Sequence, residues 1–328
     1  MKSSSTALVT VAREAMATRF EIALHGENLV NLRAAAEEAL DEIQRVEAML
    51  SWRKPTSPVA LINARAGHES VRVNPELFRL LERCRELWEQ TNGAFDITVG
   101  PLMRAYGFHK DGRQFTDESA LAEARAACGM QHLQLDKAGL TVRFARPGMH
   151  LDFGAVGKGY ALDLAVEIFR ETGIEHALIH GGTSSVCGIG HPPDADCWKI
   201  AVEYPPGENA DEPLPVLSVV ELRDRALSVS AVWGRVFRIG QDVFGHVIDP
   251  RTGAPAQRAL LSIWTSETAT EADALSTALL TEGCDGVADL SASHPGSTGL
   301  VLAEGEESFE IRSHNIEWLP QPRKADAN

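Results

Sequence analysis

Apolar and polar positions along the chain follow two rhythms, separated by turn-forming residues. TRFEIALHG (18–26) alternates residue by residue, which predicts a half-buried strand. NLVNLRAAAEEALDEIQRVEAML (28–50) repeats its apolar positions at helical spacing and predicts a long amphipathic helix. NPELFRLLERCRELWEQTNG (74–93) predicts a second helix, with Asn74 as cap, Pro75 in the first turn and Gly93 past the end. LQLDKAGLTVRF (133–144) predicts a hairpin turning at Lys137–Gly139, and a helix is expected over residues 157–172. HALIHGGTSSVCGIG (176–190) reads as strand, glycine turn, strand. Residues 226–253 read as short strands with a turn at 240–242, LLSIWTS (260–266) as a strand and ATEADALSTALL (269–280) as a helix. SWRKPTSPVALINARAG (51–67), with two prolines, is expected to be loop, and PPGENADEPLP (205–215) an acidic surface loop.

Helices and strands mix without strict βαβ alternation. The predicted class is therefore α+β, mixed sheets with packed helices. The expected domain is single, spanning residues 14–315, with 1–13 and 316–328 as flexible termini.

Composition narrows the function. The 328 residues carry 31 Lys+Arg against 46 Asp+Glu, a net charge of -15. That balance argues against nucleic acid or an anionic membrane as the main partner. An anionic ligand would need local help from a cation or a helix N-terminus. No apolar run reaches the roughly 18 residues of a membrane span. The first residues lack the apolar core of a signal peptide, so the expected location is cytoplasmic, or periplasmic if a leader has been removed. Five cysteines without a CxxC pair argue against a disulfide framework or a zinc site.

Four stretches carry candidate chemistry. In LDFGAVGKGYALDLA (151–165), Gly154, Gly157 and Gly159 precede and open a helix, with Asp152 and Lys158 alongside. A phosphate cradle at the helix N-terminus and a packing cluster of glycines are both compatible with that spacing. In FGHVIDPRTGAPA (244–256), His246 and Asp249 flank a rigid turn. The histidine is either a general base or a turn residue satisfied by backbone. In TATEADALSTALL (268–280), Asp273 and Thr277 share a helix face, with Ser276 beside them. Hard oxygen ligands of this kind suit Mg²⁺, and the apolar neighbours imply a part-buried carboxylate in need of a partner. In TNGAFDITVGPLM (91–103), Asp96 can accept from a ligand or close an Asx turn.

Together and in this order, EAMATRFEI, TNGAFDITVGPL, LDFGAVGKGYALD, ALIHGGTSSVCGIG, GHVIDPRTGAP and EADALSTALL resemble the ApbE family of Mg²⁺-dependent FAD:protein FMN transferases. The resemblance implies an FAD cleft between sheet and helix layers. It implies cleavage of FAD and attachment of FMN through a phosphoester to a Thr or Ser of a target flavoprotein, releasing AMP. It places FAD contacts at Met16, Trp52, Ala94, Phe95, Asp96, Asp152, Lys158 and Ile248. It places metal ligands at the Ala155 carbonyl, Asp273 and Thr277, with Ser276 nearby, and a base at His246. Lys158 and Asp249 join His246 as expected catalytic residues. The chain departs from the family pattern at Ala231, where glycine is usual, at Trp233, near the place of a tyrosine, and at Thr183, where Asp or Asn is common. Hydrolysis of FAD to FMN and AMP, or FAD carriage without turnover, would use the same residues. A monomer or homodimer is expected.

Overall fold

Ala7–Ala15 (β1) and Thr18–Gly26 (β2) form an antiparallel hairpin closed by Met16 and Ala17. Both turn residues take positive φ, 51° and 58°, as the twist of a two-residue hairpin requires. The computed structural model describes residues 7–108, 118–206, 213–234, 236–239, 242–306 and 308–320. Residues 7–13, expected in a flexible terminus, are instead an edge strand, held because β1 alternates partly buried and exposed positions along its pairing with β2. The calls on residues 1–6 and 321–328, on the acidic stretch 207–212 and on the turn at 240–241 lie outside the described residues.

The hairpin begins an eight-stranded sheet of order β1-β2-β6-β7-β10-β13-β14-β15. Its other members are His176–Gly181 (β6), Ser185–Ile189 (β7), Arg225–Ala231 (β10), Leu261–Ser266 (β13), Thr298–Glu304 (β14) and Phe309–His314 (β15). Every pairing in it is antiparallel. Smaller units are Val71–Arg72 (β3), Leu133–Asp136 (β4) and Thr141–Phe144 (β5) in one sheet, and two hairpins. The hairpins pair Trp198–Glu203 (β8) with Val216–Leu222 (β9), and Val236–Ile239 (β11) with Asp242–Gly245 (β12). The fold is α+β, and strand follows strand often enough that no parallel βαβ unit arises in the main sheet.

One face of the sheet is covered by helices. Leu29–Leu50 (α1) is capped by the Asn28 side chain. Pro58–Arg65 (α2) is a helix where two prolines suggest loop. Ser57 caps it and Pro58 occupies its first turn, the one place in a helix where proline fits. Pro75–Gln90 (α3) starts at the Asn74 cap. Gly100–Ala105 (α4) and Glu118–Ala126 (α5) follow, then Gly157–Glu171 (α6), Ala269–Glu282 (α7) and Gly286–Ser293 (α8). The main core includes Phe20 and Ile22 of β2, Ile43 of α1, Phe169 of α6 and Leu275 of α7. A second core, with Leu227 and Ile263, lies against the β8–β9 hairpin. Strands β7 and β13, covered on both sides, are buried at every position.

Candidate functional site

Eleven of the fourteen residues of helix α7 are buried, polar ones among them, so it lies sunk against the sheet. The sheet accommodates it with small residues. On β10, Leu227 faces the second core, while Ser228 and Ser230 face α7. Ser228 stands directly opposite Ser185 of β7. Both hydroxyls donate to Oδ1 of buried Asp273, each at 2.7 Å, and the Gly159 N–H donates to its Oδ2 at 2.7 Å. Ser276 Oγ lies 3.1 Å from Ser228 Oγ and 2.8 Å from Ser230 Oγ; Ser230 is 3.3 Å from Thr277 Oγ1. Thr277 donates back to the Asp273 carbonyl at 3.0 Å. The predicted Asp273, Ser276 and Thr277 therefore share one cluster of hydroxyls, buried at Asp273 and Ser276. Ser185, Ser228 and Ser230 join them unforeseen, although the alternation in ALSVSA marks a strand with one hydroxyl face.

Gly159 belongs to the first turn of α6. A Cβ there would lie 2.1 Å from the Ala269 carbonyl oxygen, so only glycine lets α6 and α7 touch. The N-cap position, Val156, makes no side-chain cap, and Lys158 sits half-buried in this same turn. The Asp152 side chain accepts from the Gly154 N–H at 2.8 Å, closing the loop that carries half-buried Ala155 into α6. The loop is tied to the 94–98 segment by the Asp152 N–H, which donates to the Ile97 carbonyl at 2.7 Å. Trp52 reaches the loop's other flank, edge-on to His150 at 6.1 Å, with Arg53 over its face.

Three of the expected FAD contacts, at 94–96, are buried in this structure. Ala94 and Phe95 are 1% exposed and belong to the core. Asp96, expected to accept from FAD, instead accepts from Thr98 N and Oγ1, each at 2.6 Å, and from Met130 N at 3.2 Å. Burial raises its carboxyl to about 6, against the pull of those hydrogen bonds. The segment is scaffold under the loop, the Asx-turn alternative of the sequence reading. Met16 sits on the β1–β2 turn, its N–H donating to Glu47 of α1 at 2.7 Å.

His246 directly follows β12, where Phe108 packs edge-on to its ring at 6.4 Å. Gly245 presses on the backbone of Val232, two residues beyond Ser230, and so ties the histidine's strand to the hydroxyl pocket. Ile248 is buried and bridges to Pro255. Asp249, expected to be catalytic, binds Arg251 through both oxygens: Nε to Oδ1 at 2.9 Å and an η-nitrogen to Oδ2 at 2.8 Å. Its N–H donates to Ala254 O and its carbonyl accepts from Gly253 N, both at 2.8 Å. Asp249 thus holds the turn. Of the departures, Ala231 ends β10, Trp233 packs on the second core and Thr183 is exposed in the β6–β7 turn.

Among the described residues, no group of three or more His, Cys, Asp or Glu is arranged to hold a metal. The donors around Asp273 are of another kind, one carboxylate amid hydroxyls. A cleft of about 370 Å³ opens elsewhere, between α3, α6 and the end of β7, lined by Arg79, Arg83, Arg170 and Arg225. None of the predicted site residues lines it.

The profile of the ApbE family matches residues 16–301. The FAD:protein FMN transferase of Treponema pallidum is 30% identical over 83% of this chain and 77% of its own length. That of Klebsiella pneumoniae is 29% identical over 84% and 78%. The crystal structure of the ApbE protein of Thermotoga maritima superposes with a TM-score of 0.83 at 28% identity, covering 93% of this chain and 97% of that one. The Pseudomonas stutzeri flavinyl transferase ApbE shares the fold, with the same TM-score at 23% identity.

Proposed function

We propose that this chain, which belongs to the ApbE family, is a Mg²⁺-dependent FAD:protein FMN transferase acting at the pocket between α6, α7 and β10. The observation that carries the reading is Asp273 of α7, a buried carboxylate ringed by hydroxyls and facing the start of the glycine-opened helix α6.

The residues fit the hard cation the family implies. A carboxylate offers about four lone-pair directions. Asp273 uses three of its own for Ser185, Ser228 and Gly159, leaving one on Oδ2. Thr277 spends its proton on the Asp273 carbonyl, so its oxygen lone pairs remain for a cation. Asp273, Thr277 and the Ala155 carbonyl, with Ser276 behind them, would hold Mg²⁺ through oxygen alone. When bound, the ion offsets the charge of the FAD pyrophosphate and orients it for displacement.

The remaining work falls to the chain. The N-terminus of α6 and Lys158 attract the phosphates. His246 takes the proton of an acceptor Thr or Ser hydroxyl, which is a poor nucleophile at neutral pH. The hydroxyl oxygen bonds to the FMN-side phosphorus as the pyrophosphate P–O bond breaks, and AMP leaves. Asp249 keeps the His246 turn rigid through Arg251.

The test is to incubate the protein with FAD, Mg²⁺ and a threonine-bearing acceptor domain, reading intact mass and AMP. A mass gain of one FMN with stoichiometric AMP is expected. AMP without the mass gain, with several acceptors, would assign hydrolysis instead. FAD that stays bound and intact would refute both in favour of a carrier.

A further inference from the structure

Helices α6 and α7 exchange carboxylates. Asp273 of α7 accepts from the Gly159 N–H in the first turn of α6. Asp163 of α6 in turn accepts from the first turn of α7. Its Oδ1 takes the Ala269 N–H at 2.7 Å, and its Oδ2 takes the Thr270 N–H at 2.9 Å and the Thr270 hydroxyl at 2.5 Å. Each helix thus lends an aspartate to the positive end of the other, an arrangement each helix dipole favours. Between the two links the backbones meet at Gly159 and the Ala269 carbonyl. The usual cap of α7, Thr268, makes only a 3.3 Å bond to Glu271 N, so Asp163 is the stronger anchor of that end.

We propose that Asp163 is a positioning residue for the metal site: by pinning the start of α7 to α6, it fixes where Asp273 and Thr277 stand relative to the Ala155–Lys158 loop. This rests on the reading of Asp273 as a metal ligand. Asp163 touches neither FAD nor metal in this scheme. Its effect runs through one helical turn, because Asp273 lies three and four residues beyond Thr270 and Ala269 on the same rigid helix. Outer partners that orient metal ligands typically set affinity by 10–100-fold. Sequence reading passed over Asp163 because an aspartate inside a helix, beside a glycine-rich turn, has the pattern of a solvated face.

The experiment is a Mn²⁺ titration followed by the loss of the free-ion EPR signal, with and without FAD, in the full chain. Asp273→Ala sets the background from the acidic surface. Asp163→Ala should weaken the specific Mn²⁺ site about 10–100-fold, and Asp163→Asn, which keeps an acceptor oxygen, should weaken it less. Thr270→Val removes only the hydroxyl donor and should give the smallest shift, which keeps the series readable if Asp163→Ala does not fold. A variant in the second core, Val202→Ala on β8, compared at its own loss in Tm, should leave Mn²⁺ affinity unchanged. Wild-type Mn²⁺ affinity throughout the folded Asp163 and Thr270 variants would overturn the proposal alone. A wild type that shows no binding above the Asp273→Ala background would overturn the metal reading and this proposal with it.

Discussion

His246 and Asp249 look alike in the sequence, two polar residues around a proline turn, and the structure gives them different tasks. Asp249 is used up by Arg251 and by its own turn. His246 lies just beyond the close contact of Gly245 with Val232, which follows β10. A general base contributes roughly 10²–10⁴-fold. His246→Ala should therefore slow single-turnover AMP release by at least about 10²-fold while FAD affinity, read by flavin fluorescence, stays the same. A collapse of FAD affinity with normal turnover of bound FAD would make His246 a binding residue. At this scale the sequence was informative about Asp273 and Thr277, whose i, i+4 spacing needs only a helix to bring them together. It was silent on Ser185, because the pairing of β7 with β10 that sets it opposite Ser228 spans more than forty residues of chain. It was ambiguous for Asp96, since an Asx turn and a ligand contact use the same side chain.

Among the elements, the α6–α7 crossing matters most. Strong local signals made most elements legible: helical spacing in α1, the cap at Asn74, alternation in β2, the glycine end of α3. Helix α2 was missed because its prolines were read as breakers, although Pro58 stands in a first turn. The order of strands was not legible, since antiparallel neighbours such as β2 and β6 are joined only by the helices and loops between them. The crossing itself depends on one absent methyl group. Gly159→Ala places a Cβ 2.1 Å from a backbone oxygen that cannot rotate away. Overpacking of that kind costs about 1–3 kcal/mol. The expected outcome is a lower urea midpoint together with a loss of FAD turnover greater than the loss of folded protein explains. Wild-type turnover in folded Gly159→Ala would show that the pocket tolerates a wider crossing.

At the scale of the molecule, buried Asp96 and half-buried Asp163 link stability to pH. Burial raises both Asp96 and Asp163 to about 6. Between about pH 4 and 6 the folded chain then holds protons that the unfolded chain has released. Their contribution to stability is therefore complete below about pH 4 and is lost as pH rises through 6. For Asp96 the loss is on the order of 2–3 kcal/mol. The unfolding free energy of wild type minus that of Asp96→Asn should fall by about that much from pH 4 to pH 7, measured by urea titration. A flat difference would place the Asp96 carboxyl in its ordinary range. The burial of α7 has a consequence of another kind. An element buried at eleven of fourteen positions and laced to the sheet by hydroxyls has no inexpensive local opening, so its amides exchange with solvent only when much of the domain comes apart. The face of α7 that carries Asp273 thus belongs to the slowest-breathing part of the protein. On the proposed function, the motion that admits FAD and an acceptor comes from the loops facing α7, while Asp273 stays still.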